Sequence, residues 1–125
     1  MGTITSGGLR VLVTGGRFWN LLPETFRFLD HIHEEVGISL LIHGSADGAD
    51  TLCAKWAEER GVPVLSFPVT RDDWNSKGRA AGSLRNQQML DEGHPDVLVA
   101  FPGESGTRDM VQRATSRGLE IWRYQ

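Results

Sequence analysis

The sequence predicts an α/β fold, a three-layer domain with a mostly parallel sheet of about five strands. The first observation is a set of short apolar segments without polar–apolar alternation, at residues 9–14, 40–43 and 97–101, typical of strands buried on both faces. The second is that each segment runs into small turn residues and then into a helical pattern. At 125 residues, the chain is long enough for one domain with one core.

The composition is that of an ordinary soluble protein, and its charge disfavours nucleic acid as a partner. Hydrophobic residues make up 39% and charged residues 23%, and the formal net charge of −3 gives no basis for non-specific nucleic-acid binding. The single cysteine, Cys53, excludes an intrachain disulfide, fits a reducing cytoplasm and is expected in the core. No apolar run approaches the ~20 residues that span a bilayer. We expect residues 1–8 to be a short disordered lead-in and residues 9–125 to form the domain.

The first strand is predicted at Leu9–Thr14, and Gly15 and Gly16 follow it directly. This pair does not complete the G-x-G-x-x-G spacing of a dinucleotide fingerprint, and the chain has no G-K-[ST] phosphate loop. Arg17 comes next, where it either faces a ligand crevice or is a solvated surface arginine. The sequence favours neither interpretation of Arg17.

The first helix is predicted to contain Pro23 near its start, where the missing N–H of proline costs nothing. Phe26, Leu29 and Val36 recur at helical spacing and are expected to face the core. Gly37 is expected to end this helix.

The second strand is predicted at residues 39–43, with a loop of small residues at 44–49 after it. Asp47 or Asp50 is expected to cap the next helix or to bind a ribose, since both roles require the same residue type. His43 lies at the strand end, where a structural role is favoured over a catalytic one. Gly61 is expected to close the helix.

The third strand is predicted at residues 62–67, and the least regular segment of the chain follows at 68–82. A long polar segment with an aromatic residue and several cations is typical of a lid or binding loop. Trp74, within it, either stacks on a base or packs the loop onto the body of the domain.

The next helix is predicted to begin at Ser83 as N-cap and to end at Gly93. This places Arg85 and Asn86 in the first turn, where a cation is unfavourable for the helix dipole. Residues placed against local preference tend to mark functional sites. Arg85 is therefore the leading candidate for a clamp on a phosphate or carboxylate.

The strongest single signal is the segment 97–107, which reads VLVAFPGESGT and joins a buried strand to the start of a helix. Backbone N–H groups at a helix start, reached through glycines, make a site for an anion such as phosphate. Thr107 is the expected N-cap, and Gly106 before it is expected to lie against the phosphate in a glycine-only conformation. A helix to Gly118 and a last strand at residues 119–124 complete the chain.

Five ordered motifs carry a resemblance to a known family. They are VTGGR at 13–17, HGSADGAD at 43–50, GRAAG at 78–82, RNQQM at 85–89 and FPGESGT at 101–107. With these motifs the sequence resembles the cpYpsA-related branch of the SLOG superfamily, whose Rossmann-like domains bind nucleotides or nucleotide-derived ligands. The resemblance covers the chain from Leu9 onward and implies a Rossmann-like fold with a nucleotide site.

The same superfamily includes the Lonely Guy enzymes, which cleave the N-glycosidic bond of nucleoside monophosphates. Their P-G-G-x-G-T-x-x-E loop is similar to residues 102–110, and this likeness implies that Gly103, Gly106 and Thr107 hold a phosphate while Arg85 matches a helix arginine. Two departures stand against the enzymatic activity. Glu104 brings a carboxylate to the expected phosphate. Met110 takes the position of the final glutamate, which leaves Asp109 beside it as the remaining carboxylate.

The leading function is therefore binding of a nucleotide or nucleotide-derived ligand at the carboxyl edge of the sheet, in a cytoplasmic protein that requires no cofactor and no metal. The predicted ligand-binding residues are Gly15, Gly16, Arg17, Gly44, Ser45, Asp47, Asp50, Trp74, Arg79, Arg85, Asn86, Gly103, Ser105, Gly106 and Thr107. The first alternative is a nucleotide N-glycosidase with Arg85 and Asp109 as catalytic residues. The second is single-stranded DNA binding, which the acidic balance disfavours. A homodimer or higher oligomer is expected from the relatives and from Trp122 and Tyr124 in the terminal strand.

Overall fold

The computed structural model describes residues 8–78 and 80–124, which form one five-stranded parallel sheet with helices on both faces. The strands are β1 (Leu9–Thr14), β2 (Ile38–His43), β3 (Val64–Ser66), β4 (Val97–Ala100) and β5 (Glu120–Arg123). The helices are α1 (Leu22–Val36), α2 (Ala49–Arg60), α3 (Arg71–Lys77), α4 (Ala80–Gly93) and α5 (Ser105–Ser116). The strand order β3-β2-β1-β4-β5 confirms the predicted Rossmann-like α/β class.

Two apolar layers cover the sheet, because successive residues of a strand point to opposite faces. In β1, Val11 and Val13 pack with residues of α1 and α2, whereas Leu12 packs with residues of α4 and α5. All of β4 is buried, as its segment without alternation predicts. Cys53 and Trp56 are fully buried in the layer under α1 and α2, which confirms the core position expected of the cysteine.

Helix α1 ends where the sequence predicts, before Gly37 with its φ of 76°. Leu29 is fully buried, together with Thr25 and Ile32 on the same face. The prediction for Val36 is wrong: its side chain is 45% exposed, because the last turn of the helix extends past the core. Within residues 8–78 and 80–124, none of the helices combines the length and apolar character needed to cross a membrane.

The aromatic residues at the end of the chain belong to the core. Trp122 and Tyr124 pack against the layer under α1 and α2, and the Tyr124 ring lies 5.2 Å from the Trp19 ring. The predicted strands at 62–67 and 119–124 are shorter in the structure, where they span β3 and β5. The expectation of a homodimer loses the support of these aromatics and stays a prediction.

The segment 68–82 is more regular than its composition predicts. It contains helix α3, because the Thr70 side chain accepts a hydrogen bond from the Asp73 N–H at 3.1 Å and caps the first turn. Ser83 is not an N-cap, since it is the fourth residue of α4. Arg85 therefore lies in the second turn of α4, and the argument that it opposes the helix dipole is wrong.

Candidate functional site

The loops after β1, β2 and β4 meet at the carboxyl edge of the sheet, beside the switch point between β1 and β4. The N–H of Gly16 donates to the carbonyl oxygen of Pro102 at 2.8 Å and joins the first of these loops to the third. The N–H of Ala49 donates to the carbonyl oxygen of Gly16 at 3.1 Å, which joins the first loop to the start of α2. The loops therefore converge, as a parallel sheet predicts.

Gly48 and Gly103 are among the glycines that the close approach of these loops requires. Gly48 has a φ of +79°, and a Cβ there would lie 2.5 Å from the carbonyl carbon of Arg17 and closer still to the carbonyl oxygen of Gly16. A Cβ on Gly103 would lie 2.7 Å from the nitrogen of Gly16 and would overlap Thr107. A side chain at either position would push the loops apart.

Helix α5 begins at the edge where the loops meet. Its N-cap position is Glu104, so the prediction that Thr107 is the N-cap is wrong. The N–H of Arg108 donates to the carbonyl oxygen of Glu104 at 2.9 Å, and the amides of the three residues before Arg108 belong to the open first turn. Gly106 does not take a conformation reserved for glycine, and a Cβ there would meet open space. The crowded glycine of this loop is Gly103.

The Arg85 side chain reaches from α4 to the loop after β2. Its Nη1 donates to the carbonyl oxygen of Gly44 at 2.5 Å and, more weakly, to that of Phe67 at 3.4 Å. Burial lowers the pKa of the guanidinium from its ordinary value, and the nearby Asp50 carboxylate opposes that shift. Arg85 thus presents a partly desolvated cation beside the loops, although its position arises from the loop contact and not from the helix terminus.

The buried Asp50 carboxylate holds the loop after β2 through hydrogen bonds to its backbone. Its Oδ2 accepts hydrogen bonds from the N–H groups of Gly44 at 3.0 Å and Ala46 at 3.3 Å, whereas no side chain caps α2. The cap role expected of Asp47 or Asp50 is therefore wrong. Burial raises the pKa of the Asp50 carboxyl to about 6, against the lowering effect of these two hydrogen bonds and of Arg85.

His43 is a second support of this loop. Its Nδ1 accepts a hydrogen bond from the N–H of Ser45 at 2.9 Å, which leaves the proton of the neutral ring on Nε2. Ser45 has a φ of 61°, a left-handed conformation that this bond helps to hold. Burial, with a smaller contribution from Arg85, lowers the pKa of His43. His43 thus has the structural role that its place at the end of a buried strand favours in the sequence.

Asn86 connects α4 to the first turns of α5. Its Nδ2 donates to Oδ2 of Asp109 at 2.9 Å and to the carbonyl oxygen of Gly106 at 3.4 Å. The same Asp109 oxygen accepts from Nε of Arg113 at 2.9 Å. Met110, at the position of the enzymes' glutamate, is fully buried in the core. Asp109, the carboxylate of α5 next to Met110, is thus already paired with the amide of Asn86 and the guanidinium of Arg113.

Several predicted ligand residues have side chains exposed to solvent. Arg17 is exposed, and its guanidinium lies 5.1 Å from the centre of the Phe18 ring. Trp74 is 51% exposed on α3, and Asp47 is exposed in the loop before α2. Arg79 lies outside the described residues. The structure thus brings Gly16, Gly44, Arg85, Asn86, Gly103 and the start of α5 together by direct contacts.

The chain is similar to known proteins. The model of the YAcAr family, described as the YspA, cpYpsA-related SLOG family, matches residues 9–76, a stretch that runs from β1 to most of α3. The chain is also similar to the gene 61 protein of Mycobacterium phage D29, with 38% identity over 119 residues that cover 90% of this chain and 93% of that protein. No solved structure matches the chain.

Proposed function

The chain belongs to the YspA, cpYpsA-related SLOG family, and on that premise we propose that it binds a nucleotide or nucleotide-derived ligand at the carboxyl edge of its sheet. The observation that carries the proposal is the placement of two consecutive residues of α4. Arg85 contacts the loop after β2, and Asn86 contacts the first turn of α5. A ligand between these two elements would meet a cation and a helix start at once.

The phosphate of the ligand is assigned to the start of α5. Amides of a first helical turn carry partial positive charge and have no intrahelical acceptor, so they attract anions. Arg85 supplies the full charge: its contacts with protein acceptors in the described residues use Nε and Nη1, so Nη2 retains both of its donors. Hydrogen bonds from a guanidinium to phosphate oxygens are charge-assisted and about twice as strong as bonds between neutral groups.

The ribose of the ligand is assigned to Asp47. Asp50 already accepts two backbone N–H groups and is buried, so its carboxylate is committed to the loop. Asp47 is exposed in the same loop, three residues after Gly44. An exposed carboxylate beside a phosphate site is the group that accepts hydrogen bonds from ribose hydroxyls in Rossmann-like folds.

Cleavage of an N-glycosidic bond is not part of this proposal. That reaction needs a carboxylate to stabilise a sugar cation. Met110 is apolar and buried, and Asp109 is held by Asn86 and Arg113. The arrangement supports recognition of a nucleotide and offers no free carboxylate at the position where the enzymes use one.

Replacement of Arg85 by alanine is expected to weaken nucleotide binding about tenfold to a hundredfold, because a charge-assisted contact contributes about 1.5–3 kcal/mol. The ligand is first identified by mass spectrometry of nucleotides that copurify with the protein, and its affinity is then measured by calorimetry. Arg27→Ala is the matched control, since it removes an exposed arginine from α1. Equal affinities of a folded Arg85→Ala variant and the Arg27→Ala control would contradict the assignment.

Replacement of Glu104 by glutamine is expected to tighten the same ligand about twofold to fivefold, since it removes a negative charge from the N-cap of α5 at nearly constant size. The gain should shrink as salt is raised, because the side chain is exposed. Glu35→Gln, an exposed change on α1, serves as the control. Weaker binding by Glu104→Gln would mean that Glu104 contacts the ligand directly and that the phosphate lies elsewhere.

A further inference from the structure

A cavity lies on the β5 side of α5, and neither Arg85 nor the loop after β2 lines it. It has a volume of about 470 Å³ and is open to solvent between α5, the end of β5 and the loop after β4. Arg108, Val111 and Gln112 line it from α5, and Arg123 and Tyr124 line it from the end of β5. The spacing of the α5 residues places them on one stripe of the helix, so the cavity is built by a continuous helix face and an edge strand.

The charge of this cavity is unbalanced. Two arginines line it and no acidic residue does. In the part of the chain that the structure describes, neither the Arg108 nor the Arg123 guanidinium makes an ion pair, whereas Arg113 and Arg117 of the same helix pair with Asp109 and Asp91 at 2.9 and 2.6 Å. Two unpaired cations on one concavity repel each other, and an anion that binds between them relieves that repulsion.

We propose that this cavity binds the phosphate group of a small organic phosphomonoester. The two guanidinium groups match the double negative charge of such a phosphate, and their planar forks suit its oxygens. The side-chain amide of Gln112 adds donors at the same wall, and Val111 gives an apolar surface for the organic body. The volume is in the range of ligand pockets and is larger than an inorganic ion needs.

The cavity differs from the proposed nucleotide site in its cations, because none of the residues after β2 and none of α4 lines it. The two regions share the loop after β4 and Thr107, so the two arginines distinguish the cavity and the shared loop does not. Arg85→Ala therefore affects the first region alone, and changes at Arg108 and Arg123 test the second.

The test is an NMR titration of ¹⁵N-labelled full-length protein with phenyl phosphate, followed at the side-chain amide of Gln112. The signal is expected to shift and saturate. The dissociation constant should rise at least fivefold in Arg108→Ala and in Arg123→Ala, and saturation should disappear in the double variant. Arg27→Ala and Arg85→Ala should stay within twofold of the unsubstituted protein. Inorganic phosphate should bind more weakly than phenyl phosphate if the organic body contacts the wall.

Three results would overturn the inference. A chemical shift of the Gln112 amide that rises linearly with phenyl phosphate, without saturation, would mean that the two arginines are exposed to water and form no binding site. Unchanged affinity in the double variant would place the probe elsewhere. Loss of the Gln112 shift in Arg85→Ala would assign the probe to the nucleotide site. A failure of nucleotides to bind near Arg85 would contradict the proposed function and leave this titration unaffected.

Discussion

Replacement of Gly48 by alanine is expected to lower the free energy of unfolding by about 2–6 kcal/mol, from a backbone term of about 1–3 kcal/mol and an overpacking term of about 1–3 kcal/mol. The backbone term arises because Gly48 has a φ of +79° and a ψ of −120°, a conformation outside the left-handed helical region that essentially only glycine adopts. The overpacking term arises because the new Cβ would overlap the carbonyl groups of Gly16 and Arg17, which are backbone atoms and cannot rotate away. The measurement is chemical denaturation followed by circular dichroism.

The other end of α2 offers a control for this change. Gly61 has a φ of +72° and a ψ of 25°, in the left-handed helical region, and a Cβ there would meet no atom within 4 Å. Gly61→Ala is therefore expected to lose only the smaller backbone cost of that region, about 1–2 kcal/mol. The difference between the two variants contains the contact between the loops after β1 and β2 together with the more costly backbone conformation of Gly48. Equal losses would show that the loops separate easily and that the site is not held by this contact.

Replacement of Asp50 by asparagine is expected to make the protein less sensitive to pH. The carboxyl has a pKa of about 6 in the folded protein and an ordinary value of 3.8. The folded state therefore binds the proton more tightly, and ionisation of Asp50 opposes folding. Its contribution to stability falls as the pH rises from about 4 to about 6, by about 3 kcal/mol in total, and is constant above that range.

The amide of asparagine can replace the oxygen that matters in this site, because both backbone bonds go to the same Oδ2. Relative to the unsubstituted protein, Asp50→Asn should thus gain about 2–2.5 kcal/mol of unfolding free energy between pH 4 and pH 7. His43 acts in the opposite direction, since its lowered pKa reduces stability below pH 6.5, but it is present in both proteins. Denaturation curves measured from pH 4 to pH 8 test this difference. A constant difference across the range would mean that Asp50 titrates normally.

The fold could be predicted because its central strands leave an unmistakable pattern in the sequence. Residues 97–100 are apolar without alternation, and the structure buries all of them in the interior of the sheet, between β1 and β5. The converging glycine loops follow from that topology, since parallel strands end at one edge. The sequence predicts Gly16 and Gly103 as ligand residues, which stays a prediction, and the structure shows that they lie where the two loops meet.

The parts that could not be predicted depend on contacts between distant segments. Helix α4 begins before Ser83, so Arg85 does not lie in its first turn. The Arg85 side chain is held instead by its hydrogen bond to the carbonyl oxygen of Gly44, 41 residues away in the sequence. A capping pattern gives no information about such a contact. Asp50 fits the cap and ribose roles equally well in sequence, and only the fold shows that its oxygen faces the amides of Gly44 and Ala46. Helix α3 is capped by the side chain of Thr70, and the polar composition of residues 68–82 does not indicate a helix there.

The central position of β1 has a consequence for synthesis of the chain. The strand pairs with β2 on one side and with β4 on the other, and Arg10 of β1 bonds to Asp96, 86 residues later. During translation, β1, β2 and β3 can associate early. The second edge of β1 stays unpaired until β4 has been synthesised. Such non-local pairing slows folding and leaves an unpaired strand edge on the growing chain. The nascent protein is therefore most open to aggregation, and to capture by chaperones, until residues 97–100 have left the ribosome.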